Sequence, residues 1–388
     1  MIRIEKSDRI KKLPPYLFVE LDKAKRKARE ERRDIIDLGI GDPDIPTPNF
    51  IIDALTKAAR DPKNHRYPLD QGLPEFRKAI ADWFVKRYGV TLDPDTEILP
   101  LIGSKEGIAH MPLAFVNPGD SVLVPDPCYP PYKSGTYFAG AEPVLMPLTD
   151  KNHFLPDLKA INHSGLHKAR MMFVNYPNNP TGAVCDKRFF KDVVEFALKH
   201  NIIVCQDAAY SEMGYGGYRA PSIFEVDGAR DVAIEFHSLS KTFNMTGWRI
   251  GFACGNRALI EGLAKIKSNM DSGVFFAIQW AAVAALKNYD KHIKSVSKIY
   301  EERRDALVEG LKKLGWNVSS PDATFYVWTR VPPRFTSGTF SKALLDKCDI
   351  VATPGNGFGE NGEGYIRFAL TVEKKRIAEA VDRIKKRL

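Results

Sequence analysis

The residues best suited to chemistry sit in one stretch, SLSKTFNMTGWR (238–249), between two apolar runs, VAIEF (232–236) and RIGFACG (249–255). Lys241 stands among hydroxyls: Ser238 and Ser240 offer donors, and Arg249 offers a planar cation able to grip a phosphate through two parallel hydrogen bonds. A lysine amine beside phosphate-binding groups is what pyridoxal phosphate chemistry requires, because the amine must condense with an aldehyde anchored alongside it. The competing reading of the stretch is a solvated turn with ordinary surface charges.

Other residues converge on the same chemistry. Asp207 follows the apolar run IIVCQ (202–206), where an unpaired carboxylate is costly and a cationic partner is expected. A protonated pyridine nitrogen is such a partner, and it keeps the ring able to accept the electrons a substrate Cα leaves behind. A helix N-cap aspartate is the alternative. Tyr210 could reach the phenolic oxygen of the same ring, and Asn179 could add a second donor, although Asn before Pro also simply starts turns. Ser104 and the backbone N–H of Lys105 open a helix after a strand, which is a phosphate site with the helix dipole behind it. Tyr129, just past PDP (125–127), is placed either to stack on the ring or to pack in the core. With neighbouring cations and burial, the Lys241 amine should titrate low enough to act as a base.

Positioning these groups takes a regular scaffold. Short apolar, β-branched runs at 97–101, 121–124, 142–146, 171–175, 202–206, 232–236 and 249–253 alternate with helical patterns. This predicts an α/β fold: a large domain with a mostly parallel seven-stranded sheet flanked by helices. Ligands bind such sheets at the carboxyl ends of the strands, where 103–105, 126–129, 175–182, 207–210 and 238–241 cluster. From about 277 a long helical pattern leads into a shorter αβ segment with its own periodicity. The expected division is 1–45 as an N-terminal arm and part of a small α/β domain, 46–286 as the large domain, and 287–388 as the rest of the small one. A helix is expected over about 19–31, and the LPPYLF segment (13–18) should be extended.

Composition narrows the function. The 388 residues are 44% hydrophobic and 27% charged, enough for a sizeable core. The net charge of +9 is spread along the chain, and no nucleic-acid docking motif accompanies it. It could instead draw in anionic substrates. Five scattered cysteines without a CxxC pair fit a reducing compartment, and the polar N-terminus lacks a signal peptide, so a cytoplasmic protein without membrane spans is expected. His163 and His167 have Gly165 between them and no acid nearby, so no metal site is expected.

Taken together, Asn179-Pro180-Thr181-Gly182, Asp207-x-x-Tyr210, SLSK ending at Lys241, Gly247-x-Arg249 and Arg367 resemble the fold type I, class I/II aminotransferases. The whole stretches LPPYLF, GIGDPDIPTP, LIGSKEGIAH, AFVNPGD, NYPNNPTGAV, IEFHSLSKTFNMTGWRIGF and SNMDSGVF are similar, more narrowly, to the LL-diaminopimelate aminotransferases. The resemblance implies pyridoxal 5'-phosphate on Lys241, with Asp207 and Tyr210 as its catalytic partners. Ser104, Lys105, Tyr129, Asn179, Ser238, Ser240 and Arg249 are the implied cofactor contacts. Tyr67 would reach the phosphate from a neighbouring subunit, making the active unit a homodimer. Arg367 is implied as the clamp for the substrate α-carboxylate; read alone, it could be a surface cation at a strand edge. Tyr16, Gly41, Lys105, Asn269 and Ser272, partly from the other subunit, are implied at the far end of the substrate, with Tyr129 and Asn179 also bordering it. The implied reaction is transamination between LL-2,6-diaminopimelate with 2-oxoglutarate and tetrahydrodipicolinate with glutamate, in lysine and cell-wall synthesis. A broad aspartate, alanine or glutamate transaminase is the alternative. A regulator with an aminotransferase-like sensor would need a DNA-binding domain that the first 45 residues are too few to supply.

Overall fold

The computed structural model describes residues 2–13, 23, 25–28, 30–68, 71–161 and 166–388, and in it the apolar runs pair into two sheets. The larger has seven strands in the order β2-β8-β7-β6-β5-β3-β4: β2 (Ile98–Leu101), β3 (Ser121–Asp126), β4 (Glu142–Pro147), β5 (Ala169–Asn175), β6 (Ile203–Asp207), β7 (Ala233–Ser238) and β8 (Gly251–Gly255). All run parallel except β8, which is antiparallel to both its neighbours.

These strands are apolar throughout because both faces are covered. One face packs α1 (Asn49–Ala59), α2 (Pro74–Tyr88), α5 (Lys187–His200) and α8 (Phe276–Lys287) onto Val174, Val204 and Phe252. The other packs α3 (Ser104–Phe115), α4 (Pro131–Phe138) and α7 (Arg257–Met270) onto Phe173, Cys205 and Phe236. Adjacent residues Val204 and Cys205 thus serve opposite cores, the two-residue period of a strand made visible. The expected mostly parallel, helix-flanked seven-stranded sheet is observed.

The second sheet has four strands in the order β1-β10-β11-β9, formed by β1 (Ile36–Leu38), β9 (Tyr326–Arg330), β10 (Ile350–Pro354) and β11 (Tyr365–Ala369). β1 comes from near the N-terminus and pairs parallel with β10, so both chain ends build this sheet. Its core is completed by α9 (Tyr289–Lys313), α10 (Ser337–Cys348) and α11 (Lys374–Arg387).

Two expectations need correction. The strand expected at 249–253 begins at Gly251; Arg249 precedes it in left-handed backbone, φ 54°, after a 3-10 turn over Thr246–Trp248. The helical pattern from 277 is two helices, parted at Asn288, whose side chain turns back to donate to Ala284 O at 2.9 Å. The LPPYLF segment beyond Leu13, most of the 19–31 helix and His163 fall outside the described residues. No helix among the described residues is long and apolar enough to cross a membrane.

Candidate active site

The register of the large sheet brings its strand ends into line: Asn175 of β5 is opposite Asp207 of β6, and Asp207 is opposite Phe236 of β7. Beyond that edge lies a cavity of about 260 Å³, roofed by the four-stranded sheet. Its lining includes Gly41, Ser104, Tyr129, Asn179, Asp207, Tyr210, Ser238, Lys241 and Arg367, all singled out from the sequence. Because β8 runs against its neighbours, its start reaches the same edge, which is how Arg249 comes near Ser104.

Lys241 sits in the one-turn helix α6 (Leu239–Thr242) and donates from Nζ to Gly41 O at 2.9 Å. Burial pushes its amine down to about 8; Arg249 and Arg367 work in the same direction, while Asp42 and Asp207 oppose it. Asp207 is buried, and desolvation pushes its carboxyl up to about 6. It is held by two donors, the Tyr132 hydroxyl at 2.8 Å and Ala209 N at 3.1 Å. Tyr132 was not evident in the sequence; it lies three residues beyond Tyr129, in the first turn of α4, and its ring stacks on Phe173 at 4.8 Å.

Arg367 is 1% exposed, so the surface-cation reading fails. It donates to Asn179 Oδ1 and to Gly39 O, each at 2.8 Å, and burial lowers its basicity. Asn179 in turn is anchored through its N–H to Asn175 Oδ1 at 2.8 Å. Tyr210 Oη lies 3.0 Å from Tyr326 Oη, and burial pushes the Tyr210 phenol well above its ordinary value.

The fit of a phosphorylated cofactor can be judged from the polar atoms left to meet it. Ser240 Oγ is buried without a hydrogen-bond partner among the described residues. Ser238 caps α6 by accepting from Ser240 N at 3.3 Å. The Arg249 guanidinium packs against Gly103, where any Cβ would overlap it, beside the start of α3 at Ser104. Hydroxyls, a guanidinium and a helix start around one corner suit a phosphate dianion. Asp207 on the far side suits a ring cation, and Lys241 between them suits an aldehyde carbon. The residues present fit pyridoxal phosphate.

Other expected residues do not line the cavity. Lys105 and Arg249 are exposed beside it. Tyr67 is 87% exposed. Asn269, in the last turn of α7, and Ser272, just past it, are exposed, and Tyr16 lies outside the described residues. Among the described residues, one cluster of possible metal ligands exists, Glu235, His237 and Cys254. Glu235 already accepts from Ser222 Oγ at 3.0 Å and Ile223 N at 2.9 Å and meets His237 Nε2 at 2.7 Å, so it serves as a buried hydrogen-bond node.

Comparison with known proteins agrees with this geometry. The aminotransferase class I and II family model matches residues 33–384. An LL-diaminopimelate aminotransferase of Moorella thermoacetica is 55% identical over 383 residues, covering 99% of this chain and 98% of the relative. One from Halothermothrix orenii is 53% identical over 382 residues, covering 98% of each. Among solved structures, substrate-bound BacF of Bacillus subtilis superposes with a TM-score of 0.95 at 40% identity, covering 99% of this chain and 98% of that one. A probable N-succinyldiaminopimelate aminotransferase of Thermus thermophilus gives 0.91 at 36%, covering 96% of this chain and all of that one. A lysine and an aspartate facing each other across a cavity closed by a buried arginine, in a chain matched end to end by these relatives, identify it as a member of the class I and II aminotransferases.

Proposed function

We propose that this transaminase interconverts LL-2,6-diaminopimelate plus 2-oxoglutarate with tetrahydrodipicolinate plus glutamate, using pyridoxal phosphate carried on Lys241. The observation that carries the reading is the 52–55% identity, over nearly the full length, to relatives named for LL-diaminopimelate. Bound pyridoxal phosphate supplies an electron sink that makes a substrate Cα–H acidic.

The chain's own residues do the rest. Arg367 grips the substrate α-carboxylate, with Asn179 holding the guanidinium from one side. Lys241 Nζ, titrating near 8, takes up the Cα proton. Asp207, fixed by Tyr132 and Ala209 N, would hold a proton on the ring nitrogen, and Tyr129 lines the cavity that would take the ring. Tyr210 donates toward the ring's phenolic oxygen. Ser104, Lys105 N–H, Ser238, Ser240 and Arg249 hold the phosphate. Tyr67 joins them from a second copy, so the working unit is a homodimer. Tyr16, Gly41, the Lys105 side chain, Asn269 and Ser272 read the far amino-acid head of the substrate. The chain divides into an arm (1–45), a large domain (46–286) and a small domain (287–388), and it works in the cytoplasm.

The test is a half-reaction followed by absorbance with LL-diaminopimelate, meso-diaminopimelate, aspartate, alanine and glutamate as separate donors. LL-diaminopimelate and glutamate should both discharge the cofactor's colour, and the meso isomer should do so far more slowly. Discharge by aspartate or alanine but not by LL-diaminopimelate would replace this reading with the broad transaminase.

A further inference from the structure

Tyr326 carried no signal in the sequence, yet it meets Tyr210, Arg367 and Gly41 at the cavity wall. Its side chain is 3% exposed and lines the cavity from β9. Its hydroxyl meets Tyr210 Oη at 3.0 Å. Its ring lies 4.1 Å from the centre of the Arg367 guanidinium. The backbone of Gly41 closes over the hydroxyl so tightly that a Cβ at that position would overlap it. The same Gly41 accepts from Lys241 through its carbonyl oxygen. Tyr326 is itself pinned, pairing with Ala369 of β11 and donating its N–H to Thr324 Oγ1 at 3.1 Å.

We infer that Tyr326 is a positioning residue that orients the Tyr210 phenol proton into the cavity and sets the plane of Arg367 for a carboxylate. The inference rests on the transaminase reading above. Two hydroxyls in contact share one hydrogen bond, and either could be the donor. Once Tyr210 spends its single proton on an oxygen in the cavity, Tyr326 must donate to Tyr210. Donation along such a chain strengthens the outer bond by polarising it. The Arg367 cation over the Tyr326 ring draws electron density from that ring, which makes its hydroxyl the better donor. The contact is reciprocal: an aromatic face under a desolvated guanidinium holds it flat, so that its edge faces the incoming carboxylate. Gly41 closes the pair from one side.

Two variants separate the two roles. Tyr326→Phe keeps the ring and removes the hydroxyl. A weaker Tyr210 donor stabilises negative charge on the cofactor's oxygen less, so the midpoint of the bound cofactor's visible absorbance titration should rise by roughly 0.5 pH unit, with the donor KM nearly unchanged. Tyr326→Leu removes the ring as well and should raise the KM for amino donors on the order of 10-fold, with a smaller change in kcat. Should Tyr326→Leu fail to fold, as judged by thermal melting of the cofactor-free protein, Tyr326→Met serves in its place. A Tyr326→Phe midpoint equal to wild type, or a ring-less variant whose donor KM stays within about 2-fold of wild type, overturns the assignment. Wild-type protein that forms no coloured, borohydride-reducible adduct on Lys241 would instead overturn the transaminase reading on which this one stands.

Discussion

Asp207 shows how one buried group ties stability to chemistry. Its carboxyl titrates at about 6 in the folded chain against an ordinary 3.8, because burial outweighs the Tyr132 and Ala209 donors. Between those values the folded cofactor-free chain binds more protons than the unfolded one, so its stability falls as pH rises through the window. Above pH 6 the full cost of the ionised carboxylate, on the order of 3 kcal/mol, is present. Asp207→Asn in the cofactor-free protein should therefore melt above wild type at pH 7, with the gap closing toward pH 4. A gap of equal size at both pH values would trace the cost to another group. With cofactor bound the order should reverse, since the ring cation loses its partner. The sequence made Lys241 and Asp207 legible because a lysine and an aspartate set among apolar runs are expensive inside a protein and so need a reason. Tyr132 and Tyr326 were not legible, because a tyrosine in an apolar run looks like any other core residue until its hydroxyl is seen to have a partner.

At the scale of elements, the two sheets are joined by a tie at the end of β3. Asp126 is fully buried there and accepts from Lys133 Nζ at 2.7 Å, Asn361 N at 2.9 Å and Asn361 Nδ2 at 2.7 Å. Cys128 N donates to Phe358 O at 2.9 Å in the same contact. Phe358 reaches from this loop to the Arg367 guanidinium, 4.7 Å away, so the tie bears on the arginine proposed to hold the substrate carboxylate. Asn361→Ala removes a donor to a buried carboxylate and should cost about 1–3 kcal/mol in denaturant melts, with a raised KM for the amino donor. Gly359→Ala should be worse: its φ is 143°, and a Cβ would run into the Asp126 carboxylate. A Gly359→Ala protein as stable as wild type would mean the loop can leave the sheet without loss. None of this tie was visible in the sequence, since Asp126 and Asn361 lie 235 positions apart.

For the whole molecule, the exposure of Tyr67, Asn269 and Ser272 fits sites completed by a second copy. Sedimentation equilibrium should then give twice the 43.6 kDa chain mass, and Tyr67→Ala should weaken cofactor retention while leaving that mass unchanged. A monomer that retains cofactor fully would remove Tyr67 from the site. By itself, the sequence determined the α/β layering and the residue types of the reaction: strand periodicity and the cost of buried charge are local properties that composition and spacing record. Only the tertiary structure decided which edge those residues share. The antiparallel turn of β8 delivers Arg249 to the end of the sheet where Ser104 and Ser238 lie, and β1 joins β10 to set Gly39 and Gly41 over Lys241 and Arg367. Strand order and contacts across hundreds of residues depend on how whole faces pack, and no short window of the chain contains that information.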